Sequence, residues 1–267
     1  MKLLNGTEIA GFIKQRHAEQ VRALRADKIY PKLAIVQAKD DPVINTYVRL
    51  KKEYGADVGI EVEEHITLQS EVPRILNKLS IDDSVHGIIV QLPLQDPSQT
   101  DEIVNLVDPD KDVDALGDKS KFEPATPMAI LWLLNGYNIE LRGKKILLIG
   151  KGKLVGAPLE KMLRQSELNV EVIDREVPNL KERTLEADII ITATGSPAIL
   201  RPDMIKTGGV VVDAGVASEH GKTVGDLSPE VYFREDLTIT PEKGGVGPLT
   251  VCALFENVIR AAQNAAK

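Results

Sequence analysis

Residues Lys144 to Leu159, KKILLIGKGKLVGAPL, constrain this chain more than any other stretch. Ile146-Leu147-Leu148-Ile149 is a short apolar run of the kind that forms a strand buried on both faces. Gly150-Lys151-Gly152 follows at once, and Val155-Gly156 opens an amphipathic helix carrying Leu159, Met162 and Leu163. Strand, glycine turn and helix in that order place unpaired backbone N–H groups at a helix N-terminus, where they can hold a pyrophosphate. Val170 to Ile173 reads as the next strand, and Asp174 closes it at about the separation expected of a ribose-binding acid. The spacing G-x-G-x-x-x-G is one residue longer than the usual fingerprint, and a glycine triplet alone is weak evidence. With the strand before, the helix after and the acid beyond, it predicts dinucleotide binding.

Composition narrows the class. At 267 residues the chain has room for one large or two modest domains. A net charge of −7 argues against general nucleic-acid binding, and 4% aromatic residues provide no stacking platform for single strands. The single cysteine, Cys252, excludes internal disulfides and Cys-Cys metal motifs, and its apolar helical setting reads as a buried small hydrophobe. His17, His65, His86 and His220 fall in no metal-ligand spacing and read as structural or surface residues. No signal peptide or membrane span is visible, so the expected location is the cytoplasm.

Strand-like and helix-like segments alternate along the chain. Lys32–Val36 and Gly87–Val90 are predicted strands in the first half, with helices over 41–58 and 71–79. Ile9, Phe12, Ile13, Val21 and Leu24 follow helical spacing near the N-terminus. Apolar runs at Ile146–Ile149, Val170–Ile173, Ile189–Ile191, Val210–Val212 and Leu237–Ile239 mark strands in the second half. The pattern predicts an α/β protein with parallel sheets covered on both faces. Asp108 to Pro127 is polar, rich in turn formers, and reads as the passage between two domains. The expected division is 1–118 and 119–249. The final amphipathic helix, from about residue 250, is expected to pack back on the first domain through Val251, Leu254, Phe255, Val258 and Ala262.

Candidates for chemistry lie in the first half. Tyr47 and Lys51, four apart on a helix, share a face, although such a pair is usually surface decoration. Gln91 ends the apolar strand GIIV, at the carboxyl edge where open α/β sheets bind ligands; by itself it reads as an amide capping a strand end. Asp112 and Asp114 alternate with Val113 and, alone, read as solvated loop acids. No G-x-S-x-G elbow is present, and Gly195-Ser196-Pro197 more plausibly closes the strand IIITATG near the cofactor.

Together these pieces resemble one family. YVRLKK from Tyr47, GIIVQLPL from Gly87, PDKDVDAL from Pro109, LIGKGKLVGAPL from Leu148 and GGVGPLTV from Gly244 occur in the order seen in bifunctional methylenetetrahydrofolate dehydrogenase/methenyltetrahydrofolate cyclohydrolase, the FolD family. The resemblance covers nearly the whole chain. It implies an N-terminal folate-binding domain, a C-terminal Rossmann-like NAD(P)-binding domain, a cleft between them, and a homodimer formed through the C-terminal domain. It implies two reactions. Hydride leaves the methylene carbon of 5,10-methylenetetrahydrofolate for NAD(P)⁺, a step that needs alignment more than acid or base. Water then attacks the methenyl cation to give 10-formyltetrahydrofolate, and there proton transfer matters.

By resemblance, Lys51 is the proton shuttle, Gln91 orients it, and Tyr47 packs against the folate ring. Asp114 holds the pterin, and Pro248 contacts substrate. On the cofactor side the resemblance implies Gly150, Lys151, Gly152, Val155, Asp174, Arg175, Thr194, Gly195, Gly215 and Val216, with no metal. Ile44 stands where the family usually has serine, Ala115 where it has glycine, Ala125 where it has cysteine, and Lys243 where it has proline. The loss of the serine hydroxyl beside Lys51 keeps open a dehydrogenase with weak or no cyclohydrolase activity; a non-catalytic folate- or dinucleotide-binding protein is the third reading. Lys151-Gly152 and Asp174-Arg175 replace the arginine-serine and histidine-serine pairs of NADP-using members. Asp174 favours NAD while Lys151 and Arg175 favour NADP, and NADP is the expectation.

Overall fold

The computed structural model describes residues 1–219 and 222–266, which leaves His220 outside. In chain order, β1 (Lys2–Leu3) and α1 (Gly6–Ala26) lead to β2 (Lys32–Gln37), α2 (Pro42–Val58), β3 (Glu61–Ile66), α3 (Val72–Ser80) and β4 (Gly87–Gln91). The short α4 (Thr100–Val104) and α5 (Ala125–Gly136) precede β5 (Ile146–Ile149), α6 (Gly156–Gln165), β6 (Val170–Ile173), α7 (Leu180–Glu186), β7 (Ile189–Thr192) and β8 (Val210–Asp213). The antiparallel pair β9 (Ala217–Glu219) and β10 (Lys222–Val224), then β11 (Thr238–Ile239) and α8 (Val246–Ala265), complete the order.

The chain divides into two compact units, one of Gly11–Ala125 with the residues from Val251 on, the other of Met1–Ala10 with Thr126–Thr250. These bounds differ from the expected 1–118 and 119–249. Met1–Ala10 joins the second unit because β1 adds a parallel strand beside β11. Residues 119–125 stay with the first because the Ser120 hydroxyl donates to the Asp112 carbonyl, Lys121 pairs with Asp110, and the buried Asn257 amide donates to the Glu123 carbonyl.

The first unit is built on a three-stranded parallel sheet in the order β3-β2-β4. Ala34, Val36, Ile88 and Val90 bury one face against Val72, Leu76 and Leu79 of α3. The strand β3, EVEEHI, is not marked by an apolar run; it is an edge strand, and Glu61 and Glu63 pair with Lys32 of its neighbour. Phe12 faces outward at 67% exposure, contrary to the helical face read for α1; Ile13, Val21 and Leu24 make the buried stripe.

A polar network ties α1, α2 and α8. His17, fully buried, contacts the Tyr54 hydroxyl through Nδ1 (2.9 Å) and the Glu256 carboxylate through Nε2 (2.9 Å). The Tyr54 hydroxyl donates in turn to Cys252 Sγ at 3.4 Å. The His17 bond, helped by Arg16, holds the Glu256 carboxyl below its usual range against the cost of burial. A depressed folded-state pKa contributes stability that is present above the unfolded value of 4.5 and lost as pH falls through the folded one. Glu256→Gln is therefore expected to cost about 1–3 kcal/mol at pH 7, and the gap to wild type should narrow well below pH 4.5. Urea midpoints at both pH values check this; an equal gap at both contradicts it.

The second unit is a six-stranded parallel sheet in the order β1-β11-β8-β7-β5-β6. All four residues of β5 are buried on both faces, as its apolar run requires. The helix α5 occupies the end of the stretch read as a linker. Its ATPMAILWLLNG sequence is apolar nearly all round, so it carries no helical periodicity, and Met128, Ala129, Ile130, Leu133 and Leu134 are buried. The last helix begins at Val246, four residues before the expected start, and Cys252, Ala253 and Ile259 widen its buried face.

Candidate active site

In the first unit, the catalytic candidates converge at the carboxyl ends of β2 and β4. Ile44, Tyr47 and Lys51 follow i, i+3, i+7 spacing, so one face of α2 carries all three. Gln91 ends β4, and Lys51 Nζ donates to its Oε1 at 2.7 Å. The Gln91 amide nitrogen donates to the Leu92 carbonyl at 3.2 Å, which leaves its oxygen turned to the lysine. Burial lowers the pKa of the Lys51 ammonium, opposed by the negative charge of Asp114. Asp114 is the reciprocal case: burial raises its carboxyl and the Lys51 charge draws it down. Tyr47 is 37% exposed, and burial of the rest of the side chain raises its hydroxyl pKa.

The backbone around Asp114 explains its place. Ile88 N–H donates to the Lys111 carbonyl at 2.7 Å, and Asp112 bridges to Ile88 as a short parallel extension of the sheet. The Asp112 carboxylate then accepts the Gly117 N–H (2.9 Å) and the Leu116 N–H (3.4 Å), closing the turn that presents Asp114. Asp112 is thus no solvated loop acid; burial pushes its pKa up to about 6. Within that turn Ala115 has φ +56°, the left-handed region, where the family's glycine would sit without strain. Ile44 is buried and supplies no hydroxyl.

Gln37 escaped the sequence reading. It is buried, ends β2, and is the register partner of Gln91. Its Nε2 donates to Asn45 Oδ1 at 2.7 Å and to the Lys39 carbonyl, while its Oε1 has no partner among the described residues. The signal was there: KLAIVQ, like GIIVQ, is an apolar strand ending in glutamine.

In the second unit, the glycine loop joins β5 to α6. Gly150 has φ +110°, and a Cβ there would lie 2.5 Å from the Ala193 carbonyl oxygen. A Cβ on Gly156 would lie 2.1 Å from the Gly150 carbonyl oxygen, so glycine alone lets α6 approach the strand. At Gly152 the same test meets nothing within 4 Å. That open space beside a helix N-terminus fits a pyrophosphate. Val155 is the residue preceding α6, half-buried with non-helical dihedrals.

Asp174 directly follows β6 and lines a cavity of about 510 Å³ together with Lys151, Val177 and Arg183. Arg183 is committed to Glu171, whereas Lys151 makes no ion pair with a described residue. Arg175 donates to Ser196 Oγ at 3.1 Å and pairs at 3.7 Å with Glu176, a residue of that cavity's wall, without lining the cavity itself. Thr194 and Gly195 follow β7, Gly215 and the exposed Val216 follow β8, and a Cβ on Gly195 would meet the Val216 carbonyl oxygen at 3.2 Å. Pro248, in the first turn of α8, belongs to this second unit and not to the Lys51 unit. Among the described residues no cluster of three or more His, Cys, Asp or Glu could hold a metal ion, and no helix is long and apolar enough to cross a membrane.

Residues 4–114 match the model of the tetrahydrofolate dehydrogenase/cyclohydrolase catalytic domain, and residues 124–266 match the NAD(P)-binding domain of the same family. The chain belongs to the FolD family. A bifunctional protein FolD from Campylobacter jejuni is 38% identical over 279 residues, covering 99% of both chains. The crystal structure of a bifunctional FolD dehydrogenase/cyclohydrolase from the same species superposes with a TM-score of 0.93 at 37% identity, covering 99% of each. A Trypanosoma brucei FolD, solved with NADP and an inhibitor, gives a TM-score of 0.91 at 27% identity over 99% of this chain and 98% of its own. Dehydrogenase and cyclohydrolase activities go with FolD membership, and the second unit is an NAD(P)-binding domain.

Proposed function

We propose that Lys51, oriented by Gln91, moves the proton when water attacks the methenyl carbon, and that Tyr47, Asp114 and Pro248 hold the folate. The 2.7 Å bond from Lys51 Nζ to Gln91 Oε1 carries this reading. A lysine at its ordinary pKa of 10.5 would be too protonated at neutral pH to accept a proton; burial lowers it towards the useful range. A cationic methenyl group beside it acts in the same direction. Asp114 offers an acceptor suited to the N–H edge of a pterin.

The nicotinamide, when bound, accepts a hydride from the folate methylene carbon. This chain's residues bind and orient: Gly150, Gly152 and the N-terminus of α6, preceded by Val155, receive the pyrophosphate, Asp174 reaches the adenosine ribose, and Thr194, Gly195, Gly215 and Val216 line the nicotinamide side. NADP is the preferred cofactor in this reading, with Lys151 the cation for the 2′-phosphate and Arg175 in support. Lys151→Ala should raise KM for NADP⁺ by about tenfold or more, the loss of one charge-assisted contact, and leave NAD⁺ nearly unchanged. Parallel initial rates decide it; a faster wild-type rate with NAD⁺ overturns the preference. The reading includes a cytoplasmic homodimer formed through the second unit, and a monomeric sedimentation coefficient would remove the dimer.

The monofunctional reading has Ile44 in its favour, since no hydroxyl stands at that position. It predicts that methenyltetrahydrofolate supplied directly is hydrolysed no faster than in buffer. The bifunctional reading predicts hydrolysis well above that background, rising with pH through a pKa below 10.5.

A further inference from the structure

Two carboxylates, one fully buried and one half-buried, bond the backbone of the loops that follow β7 and β8. Asp226 is fully buried and accepts the Thr194 N–H at 2.7 Å and the Ser196 N–H at 2.9 Å. Asp213, at the end of β8, accepts the N–H groups of Gly215 (2.9 Å), Asp226 (2.9 Å) and Leu227 (3.2 Å), and the Thr192 hydroxyl (3.2 Å). Their packing is reciprocal. A Cβ on Gly215 would lie 2.1 Å from the Asp226 carboxyl, and a Cβ on Gly225 would lie 2.1 Å from the Asp213 carboxyl. Among the described residues no lysine or arginine bonds either one; burial and the Asp226 charge raise the Asp213 carboxyl, and the amide dipoles that bond it draw it back down.

The sheet says what faces them. A dinucleotide straddles the point where strand order reverses, here between β5 and β7. Its adenosine half lies over β6, where Asp174 is, and its nicotinamide half over β7 and β8. The oxidised nicotinamide ring is a cation; the reduced ring is neutral. We propose that the Asp213–Asp226 pair determines redox-form specificity, making the protein bind the oxidised cofactor in preference to the reduced one. The pair acts through the floor formed by residues 194–196 and 215–216, and so rests on the dinucleotide reading given above. Loss of one buried charge facing a cationic ring shifts the preference by about tenfold.

Calorimetric titration of wild type, Asp226→Asn and Asp213→Asn with NADP⁺, NADPH, NAD⁺ and NADH tests this, with adenosine 2′,5′-bisphosphate and AMP as probes that lack the ring. The expected result is tighter wild-type binding of the oxidised form. In each variant the ratio of reduced to oxidised Kd should fall by about tenfold, while the ring-less probes bind as before. Equal weakening of both forms means the aspartates merely hold the loops, and overturns the proposal. So does an unchanged ratio. If neither variant folds, the wild-type ratio decides, and tighter binding of the reduced form overturns it. Failure of wild type to bind any of the nucleotides or ring-less probes overturns the dinucleotide reading itself, and is told apart by that.

Discussion

Lys51→Met is expected to reduce hydrolysis of methenyltetrahydrofolate by roughly 10²–10⁴-fold, the usual range for a positioned acid–base group. The dehydrogenase rate should stay within about tenfold of wild type, because hydride transfer asks for alignment and not for a proton acceptor. Lys51→Arg should fail as Met does, since a guanidinium keeps its proton at any working pH. Stability separates this from a folding defect. The folded-state pKa of Lys51 lies below its unfolded value, so the buried ammonium costs stability at neutral pH, and that cost fades as pH rises through the folded value towards 10.5. Met removes the cost, and its melting temperature should equal or exceed that of wild type. Hydrolysis within threefold of wild type would take the shuttle role from Lys51.

Gly156→Ala carries the second large effect. Its Cβ would stand 2.1 Å from the Gly150 carbonyl oxygen and 3.1 Å from the Lys151 Cα. Both are backbone atoms and cannot rotate away, so the phosphate loop must leave α6. Affinity for the dinucleotide should fall by about 100-fold or more, as expected where an overpacked backbone contact displaces a binding loop. Gly152→Ala is the matched control. Its Cβ meets nothing within 4 Å, so the fold should be unaffected and any loss of cofactor affinity reports directly on the space the pyrophosphate uses. If Gly156→Ala binds the cofactor normally, the loop does not hold it.

Much of the fold could be read because single elements declared themselves. Ile146–Ile149 and Val210–Val212 are apolar runs bounded by turn formers, and both are strands of one parallel sheet. Elements with no such contrast stayed hidden. The charged β3 forms because it pairs with β2 along its full length, and α5 because its own side chains are apolar nearly all round and most of them are buried. The active-site side chains were a different problem. Tyr47 and Lys51 become meaningful only when Gln91, forty residues on, meets the lysine, a pairing that the family resemblance implies and no local pattern shows. Asp213, Asp226 and Gln37 were missed because their roles depend on backbone groups brought together by the sheet, which no local pattern records.

The most direct test is a single absorbance trace, taken with methylenetetrahydrofolate and NADP⁺ or NAD⁺ in parallel, that follows reduced nicotinamide and the methenyl species together. Reduced cofactor is expected to appear without lasting methenyl accumulation, faster with NADP⁺, with methenyl accumulating only after Lys51 is replaced. Methenyl building up in the wild-type trace would show the hydrolase step to be crippled, and no reduction with either cofactor would contradict the central claim.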